Sequence, residues 1–311
     1  MGGRLLLIYA GLVVVLGSVV AGYLLERGNL LVLLQPAELL IIGGGALGIV
    51  LISCPTRNLR ILVKTIFSIR GGSYTRETYL EALKVLYVLF HIGRGAERSA
   101  LEAHVETPQE SEIFGAHPSL LADIEATQFI CDSFRMALSA GLTAEEVARL
   151  MTLDIDVQRS GRLQPIRTLV NVADSLPGLG IVAAVLGVVV TMQALGGPAV
   201  EIGQKVAAAL VGTFLGILAC YGAISPLSGR LDYLGRARAE FLQVLRVSIS
   251  AFFHGASPLV AAEAGRRSTP LDLRPSLDEM ETQLRREKIP LTRAQQEAIA
   301  ASEAAGEVVS T

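Results

Sequence analysis

The sequence predicts an all-α integral membrane protein, with four transmembrane helices, a helical cytoplasmic domain between helices 2 and 3, and a cytoplasmic C-terminal tail. Three observations carry this prediction. The chain of 311 residues is 51% hydrophobic and 18% charged, with a mean hydropathy of +0.50 and no Trp, too apolar for an ordinary soluble protein of this length. Its apolar residues are concentrated in four runs, Leu5 to Leu25, Ala37 to Ser53, Ser175 to Leu195 and Val206 to Leu227. At ~1.5 Å per residue, a helix of each length roughly spans a hydrocarbon layer about 30 Å thick. Finally, positive charge is distributed unevenly about the runs, which sets an orientation.

The first run follows Arg4 and has the outline of a secretory signal, but it is too long for a typical signal core and lacks a small-x-small cleavage site, so it reads as a helix. The second run is the shortest. Pro36 suits its first helical position, and Glu38 falls in its first turn, where a carboxylate complements the positive end of the helix dipole. Within it, Gly43, Gly45 and Gly48 match G-x-G-x-x-G. A nucleotide loop needs a preceding strand and an acidic residue about 20 positions on. Here both flanks are apolar and Ile61 to Phe67 holds no Asp or Glu, so these are glycines of a membrane helix, where small residues admit close neighbours.

Arg57, Arg60, Lys64 and Arg70 follow the second run, and Arg230, Arg236 and Arg238 follow the fourth. By contrast, the short connections within each pair carry only Arg27 and Lys205 as basic residues. Both termini and the long middle segment are therefore expected in the cytoplasm. The middle segment has helix-start signals at Ser99 to Glu102, Thr107 to Glu110 and Thr143 to Glu146, all of the S/T-x-x-E capping-box form, and the same grammar recurs at Ser276 to Glu279. The end from Thr292 is rich in Ala and Glu and is expected to fray or stay disordered. The expected organisation is 1–54 for helices 1 and 2, 55–174 for the cytoplasmic domain, 175–227 for helices 3 and 4, and 228–311 for C-terminal helices and tail.

The sequence offers no P-loop, HExxH, Ser-His-Asp order or Cys/His cluster, so neither an enzyme nor a cofactor or metal site is expected, and nothing suggests nucleic-acid binding. Cys54, Cys131 and Cys220 are far apart and read as buried, reduced thiols. The third and fourth runs carry no ionisable residue at depth, whereas ion translocation needs one facing a cavity or a partner. If ions pass, another chain is expected to bring the carboxylate. Gly180, Ala184 and Gly187 line the third run, and Gly212 and Gly216 form a small-xxx-small ridge in the fourth. Thr213 reads either as a hydroxyl bonded to the Ala209 carbonyl or as part of an ion path. Pro177 and Pro226 fall at the same membrane face, as a helix start and a helix end, or together as a hinge.

The segments QPAELLIIGGGALG, ADSLPGLGIVAAVLGVV and VGTFLGILACYGAISPL, with the intervening GRGAERSALEAHVETPQESEIF, resemble the MotA subunit family of the bacterial flagellar stator. The similarity runs from the first helix to about Leu242 and weakly into RPSLDEME; it departs from the family between Met151 and Pro165, where similar proteins are more acidic and contain His. The resemblance implies a multi-pass protein of the bacterial inner membrane. It implies a ring of A subunits, five around two MotB-type B subunits whose membrane helix carries an aspartate, acting on a FliG-type rotor switch protein, with H+ as the transported ion. It further implies that Arg94 and Glu102 contact the rotor, that Pro177 and Pro226 couple protonation to movement, and that Ala184 and Thr213 face the partner helix and the ion path. A sodium-driven stator and an ExbB- or TolQ-type energiser are the alternatives; energisers of that type resemble three-span chains.

Overall fold

The computed structural model describes residues 2–55, 59–63, 66, 74–94, 98–139, 141–193 and 196–287. Lys64, Arg57, Arg70 and the tail from Thr292 lie outside them. The chain forms two compact units, each built from two stretches: Met1–Gly72 with Arg159–Arg236, and Ser73–Gln158 with Ala237–Thr311.

The first unit holds α1 (Gly2–Leu25), the single turn α2 (Leu30–Leu33) and α3 (Pro36–Ser53). With them come the C-terminal part of α9 (Ala144–Met192), α10 (Ala199–Ala219), a π-helical turn (Cys220–Ile224) and the first residues of α11 (Ser225–Phe253). Among the described residues, four stretches are long and apolar enough to cross a membrane: Leu6–Leu25, Leu30–Ser53 and segments within Ala144–Met192 and Ala199–Phe253. Pro36 opens α3 as expected, its missing N–H falling where a helix has no internal acceptor to use. The three glycines of the G-x-G-x-x-G match lie inside α3, so there is no strand-to-helix turn for a phosphate.

The apolar interior of this unit is small. Ile42 of α3, Ala173, Leu176 and Ala183 of α9, and Cys220 of the π turn make one cluster, while Leu62, Ile166, Leu169 and Leu231 make a second. Outward, Leu6, Leu7, Val13 and Val14 of α1 and Ile181, Val185 and Val189 of α9 are exposed, a disposition water would penalise and hydrocarbon would not.

The second unit is organised around α4 (Arg76–Arg94), whose Tyr79, Leu83, Leu86, Leu89 and Phe90 are all fully buried. Around it pack α5 (Arg98–Glu106), the short α6 (Glu112–Gly115) and α7 (Pro118–Leu121), and α8 (Ile124–Ser139). The distal part of α11, α12 (Pro258–Ser268) and α13 (Leu277–Leu284) complete the core with Phe241, Leu245, Ala261 and Met280. Phe90 stacks on Phe252 with ring centroids 4.5 Å apart, and Tyr74 on Phe241 at 4.2 Å. Gly265 of α12 lets that helix reach α4 and α11, since a Cβ there would lie 2.7 Å from Leu83 and 3.0 Å from Ser248.

Two of the expected capping boxes form. Thr143 receives the Glu146 amide at 3.3 Å and returns its own amide to the Glu146 carboxylate at 2.9 Å, opening α9. Ser276 and Glu279 do the same for α13. The one at Thr107 does not. Residues 108–110 make a turn closed by the Glu110 amide on the Thr107 carbonyl, and the Thr107 hydroxyl bonds back to Ala103. The pattern there ends α5 instead of opening a helix. Ser99 lies within α5, described from Arg98. A capping signal is only a local offer of acceptors, and at Thr107 the chain before it is already helical. The region from Met151 to Pro165, where the sequence leaves the family pattern, is a continuous part of α9, with Pro165 accommodated inside the helix.

Candidate functional site

The seam between α9 and α10 is made of small residues because the backbones touch. A Cβ on Gly180 would lie 2.8 Å from the Gly212 carbonyl oxygen, and one on Gly216 would lie 2.5 Å from the Leu176 carbonyl oxygen and 2.9 Å from the Gly180 Cα. One on Gly187 would lie 2.6 Å from the Ala209 methyl. The four glycines singled out from sequence therefore meet one another or each other's helix, as small-residue ridges do in membranes.

Ala183, fully buried, packs against Gly212; Ala184 is turned one residue round the helix and is half-buried. Ala184 thus belongs to a face beside the seam. Thr213 is also half-buried, with its Cα against Gly180. The back-bond considered for Thr213 is made instead by Thr191, whose hydroxyl donates to the Gly187 carbonyl at 2.8 Å.

The residue missed from sequence is Glu38. It lies in the first turn of α3, as expected, but it is 6% exposed and its Oε2 has no hydrogen-bond partner. The carboxylate is inserted into the α9–α10 seam: ideal Cβ positions on Gly212 and Gly187 lie 2.5 Å from Oε2 and 3.3 Å from Oε1. A side chain at 212 would displace this carboxylate from where it sits. The third and fourth spans carry no carboxylate of their own, and this one reaches their seam from α3. The sequence signal for it is an acidic residue at the start of an apolar segment.

Pro177 and Pro226 flank one apolar cluster. Pro177 lies inside α9, where it leaves the Ala173 carbonyl without its usual donor. Two residues earlier, Ser175 donates to the Asn171 and Val172 carbonyls at 2.7 and 2.9 Å, a back-bonding pattern that bends helices. Pro226 follows the π turn, in which the Ser225 amide reaches back to Cys220. A widened turn spares the proline ring its clash with the carbonyl one turn back. Ala173 and Leu176 beside Pro177 pack with Cys220 and Ile224 before Pro226, so the two helix irregularities sit at matching depth in this unit.

In the second unit, Arg94 ends α4 and Glu102 lies on α5, both exposed. Their preceding neighbours touch: a Cβ on Gly93 would lie 3.1 Å from the buried Leu101. Burial, and then the nearby Arg94 cation, hold the His91 imidazole below its ordinary range. Elsewhere in this unit Arg238, 9% exposed, is clasped by Tyr74, Asp123 and, at 3.2 Å, Glu125. Cys54, Cys131 and Cys220 are free and buried, and burial pushes the Cys131 thiol up to about 12. Among the described residues no group of His, Cys, Asp and Glu has the makings of a metal site.

Comparison with known proteins gives two family matches, Motility protein A N-terminal over residues 9–96 and the MotA/TolQ/ExbB proton channel family over residues 122–232. The chain is 37% identical to motility protein A of Salmonella typhimurium and 38% identical to that of Escherichia coli, in each case over 92% of this chain and 97% of the relative. Chemotaxis protein LafT of Vibrio parahaemolyticus is 34% identical over 88% of this chain and 96% of the relative. The fold is similar to the MotAB structure of C. jejuni, with a TM-score of 0.71 at 20% identity over 87% of this chain and 98% of that one. It is also similar to the flagellar MotAB stator complex of Bacillus subtilis, with a TM-score of 0.69 at 21% identity over 88% and 98%.

Proposed function

The chain belongs to the motility protein A family, and from that premise we infer how its residues divide the work of a flagellar stator subunit, a membrane protein of the inner membrane that forms an ion channel with a B partner. A channel subunit calls for no catalytic residue, and the chain's chemistry is conformational. The observation that carries the reading is the α9–α10 seam: backbone-to-backbone packing through Gly180, Gly187, Gly212 and Gly216, bounded below by two proline irregularities at matching depth.

In this reading protons enter from the side of the α9–α10 connection and reach an aspartate of the B subunit held against Ala184 and Thr213. Protonation removes a charge whose desolvation in an apolar site is costly, so it changes which A-subunit contact is preferred. Pro177 and Pro226 give α9 and α11 the compliance to follow, and five copies around two B subunits step in turn. Arg94 and Glu102 act on a rotor switch protein of the FliG type as exposed charges. Both termini lie in the cytoplasm, which the positive charges beyond the second and fourth spans support.

The test is cytoplasmic pH in cells carrying this chain with a B partner lacking its plug segment, under an imposed proton gradient with and without sodium. Sodium-independent acidification that disappears when the partner aspartate is replaced supports the reading. Sodium entry without acidification assigns the sodium class, and flux of neither ion through an assembled complex refutes the channel. Orientation is tested by Gly196→Cys, which an impermeant maleimide should label from outside while Glu106→Cys stays unlabelled.

A further inference from the structure

We propose that Glu38 is a proton-binding site of the chain itself, a carboxylic acid seated on Gly187 and Gly212 that loads from the outer side and sets how closely α9 and α10 pack. The proposal rests on the channel reading above for its direction of loading. Its geometry is independent of that reading.

The side chain is 6% exposed and Oε2 is unpartnered, within an apolar crevice formed by Ala183, Gly187, Ala209 and Gly212. It is not at a helix end on the facing elements. At ~1.5 Å per residue, Gly187 lies roughly 7 Å along α9 from Met192, and Gly212 roughly 20 Å along α10 from Ala199. In an apolar crevice of a membrane-spanning segment, an ionised carboxylate demands a cation or a full set of donors.

Among the described residues of the packed elements no unpaired cation is at hand, and Oε2 has no donor. α9 has no charged residue between Asp174 and Met192, and α2 has none. The rest of α3 is also uncharged. On α10 the charges are Glu201 and Lys205, which pair with each other at 3.0 Å and lie about two turns or more from Gly212. A proton is the smallest ligand that neutralises Glu38 without widening a crevice in which Gly212 already leaves no room for a Cβ. The neutral acid lets the seam close on it. The ionised form draws in water and holds the two ridges apart, so arrival and departure of a proton at Glu38 changes the same contact that Gly180 and Gly216 make.

The test compares wild type, Glu38→Gln, Glu38→Asp and Glu38→Ala in the full A–B complex. Two readouts are used: cytoplasmic acidification with the unplugged partner, and the infrared carbonyl band of a protonated carboxylic acid in the purified complex, identified by its shift in D2O. The expected result is a carboxylic-acid band lost in Glu38→Gln, with proton flux lowered by roughly tenfold or more although the variant copurifies with its partner at wild-type yield. Glu38→Asp should retain part of both. Gln keeps the shape of Glu, so a poorly assembling Glu38→Ala does not confuse the reading. Wild-type flux in Glu38→Gln, or an unchanged infrared band, overturns the proposal. So does a sodium-dependent wild-type flux that Glu38→Gln abolishes, which would make the site one for a metal cation. If the wild-type complex conducts nothing, the channel reading fails while the infrared band still decides Glu38.

Discussion

Replacing Gly216 by Ala places a methyl carbon 2.5 Å from the Leu176 carbonyl oxygen and 2.9 Å from the Gly180 Cα. Ordinary contact begins at 3.4 Å, so α9 and α10 must part by about 0.9 Å at this crossing. Both obstacles are backbone, and neither can rotate away. Overpacking of this kind costs ~1–3 kcal/mol, against which Ala gains ~1 kcal/mol of helix propensity over Gly. Separation of the ridges also forfeits dispersion contacts at Gly180 and Gly212, so the net loss is expected near ~2 kcal/mol. Gly45 supplies the control within the same unit. Its Cβ would lie 2.7 Å from Leu179 Cδ2, but that atom is the end of a flexible side chain, and the propensity gain should leave Gly45→Ala close to neutral. The assay is thermal unfolding of the purified complex, with swimming in soft agar alongside. Gly216→Ala should melt several degrees lower and swim poorly, while Gly45→Ala stays near wild type in both. If Gly216→Ala melts with or above Gly45→Ala, the backbone-contact account of the seam is refuted.

Three further predictions concern the second unit. Arg238→Met leaves the half-buried Asp123 beside Tyr74 without its cation and should destabilise by ~1–3 kcal/mol, with partial recovery on adding Asp123→Asn, measured as a double-mutant cycle on the melting midpoint. Glu102→Gln should reduce the torque of tethered cells only in part, because exposed charge pairs contribute ~0–1 kcal/mol each, while Arg94→Glu or Glu102→Lys should reduce it further; intact swimming with Glu102→Lys at ordinary expression removes its rotor role. The Glu263 carboxyl, held at about 2 by hydrogen bonds from Arg266 and then Arg267, has a folded value below its ordinary 4.5. Its stabilising contribution is therefore complete above about pH 4.5 and lost as pH falls toward 2. The gap in melting midpoint between wild type and Glu263→Gln should accordingly be full at neutral pH and shrink below about pH 4.5; a gap that widens on acidification contradicts this.

How much was legible in sequence depended on whether the deciding physics was local. The four spans, Pro36 at the start of α3, and the boxes at Thr143 and Ser276 follow from chain length, apolar content and neighbours three residues apart. The same grammar misplaced a helix start at Thr107, because whether a cap is used depends on what the preceding chain is already doing. The small-residue ridges were visible as glycines one turn or two apart, and the glycines meet as their spacing suggested.

The rotation of each helix was not visible. In water a hydrophobic stripe fixes which face turns inward, but within a bilayer lipid and protein are about equally apolar, so no such stripe orients a spanning helix. Only close packing decided that Ala183, and not Ala184, meets Gly212, that Thr191 makes the back-bond to a helix carbonyl, and that Glu38 turns into the seam between α9 and α10. The sequence by itself determined that this chain crosses a membrane four times and packs its last two spans through glycine; the tertiary structure alone decided which atoms those spans enclose, since that choice rests on contacts between helices distant in sequence.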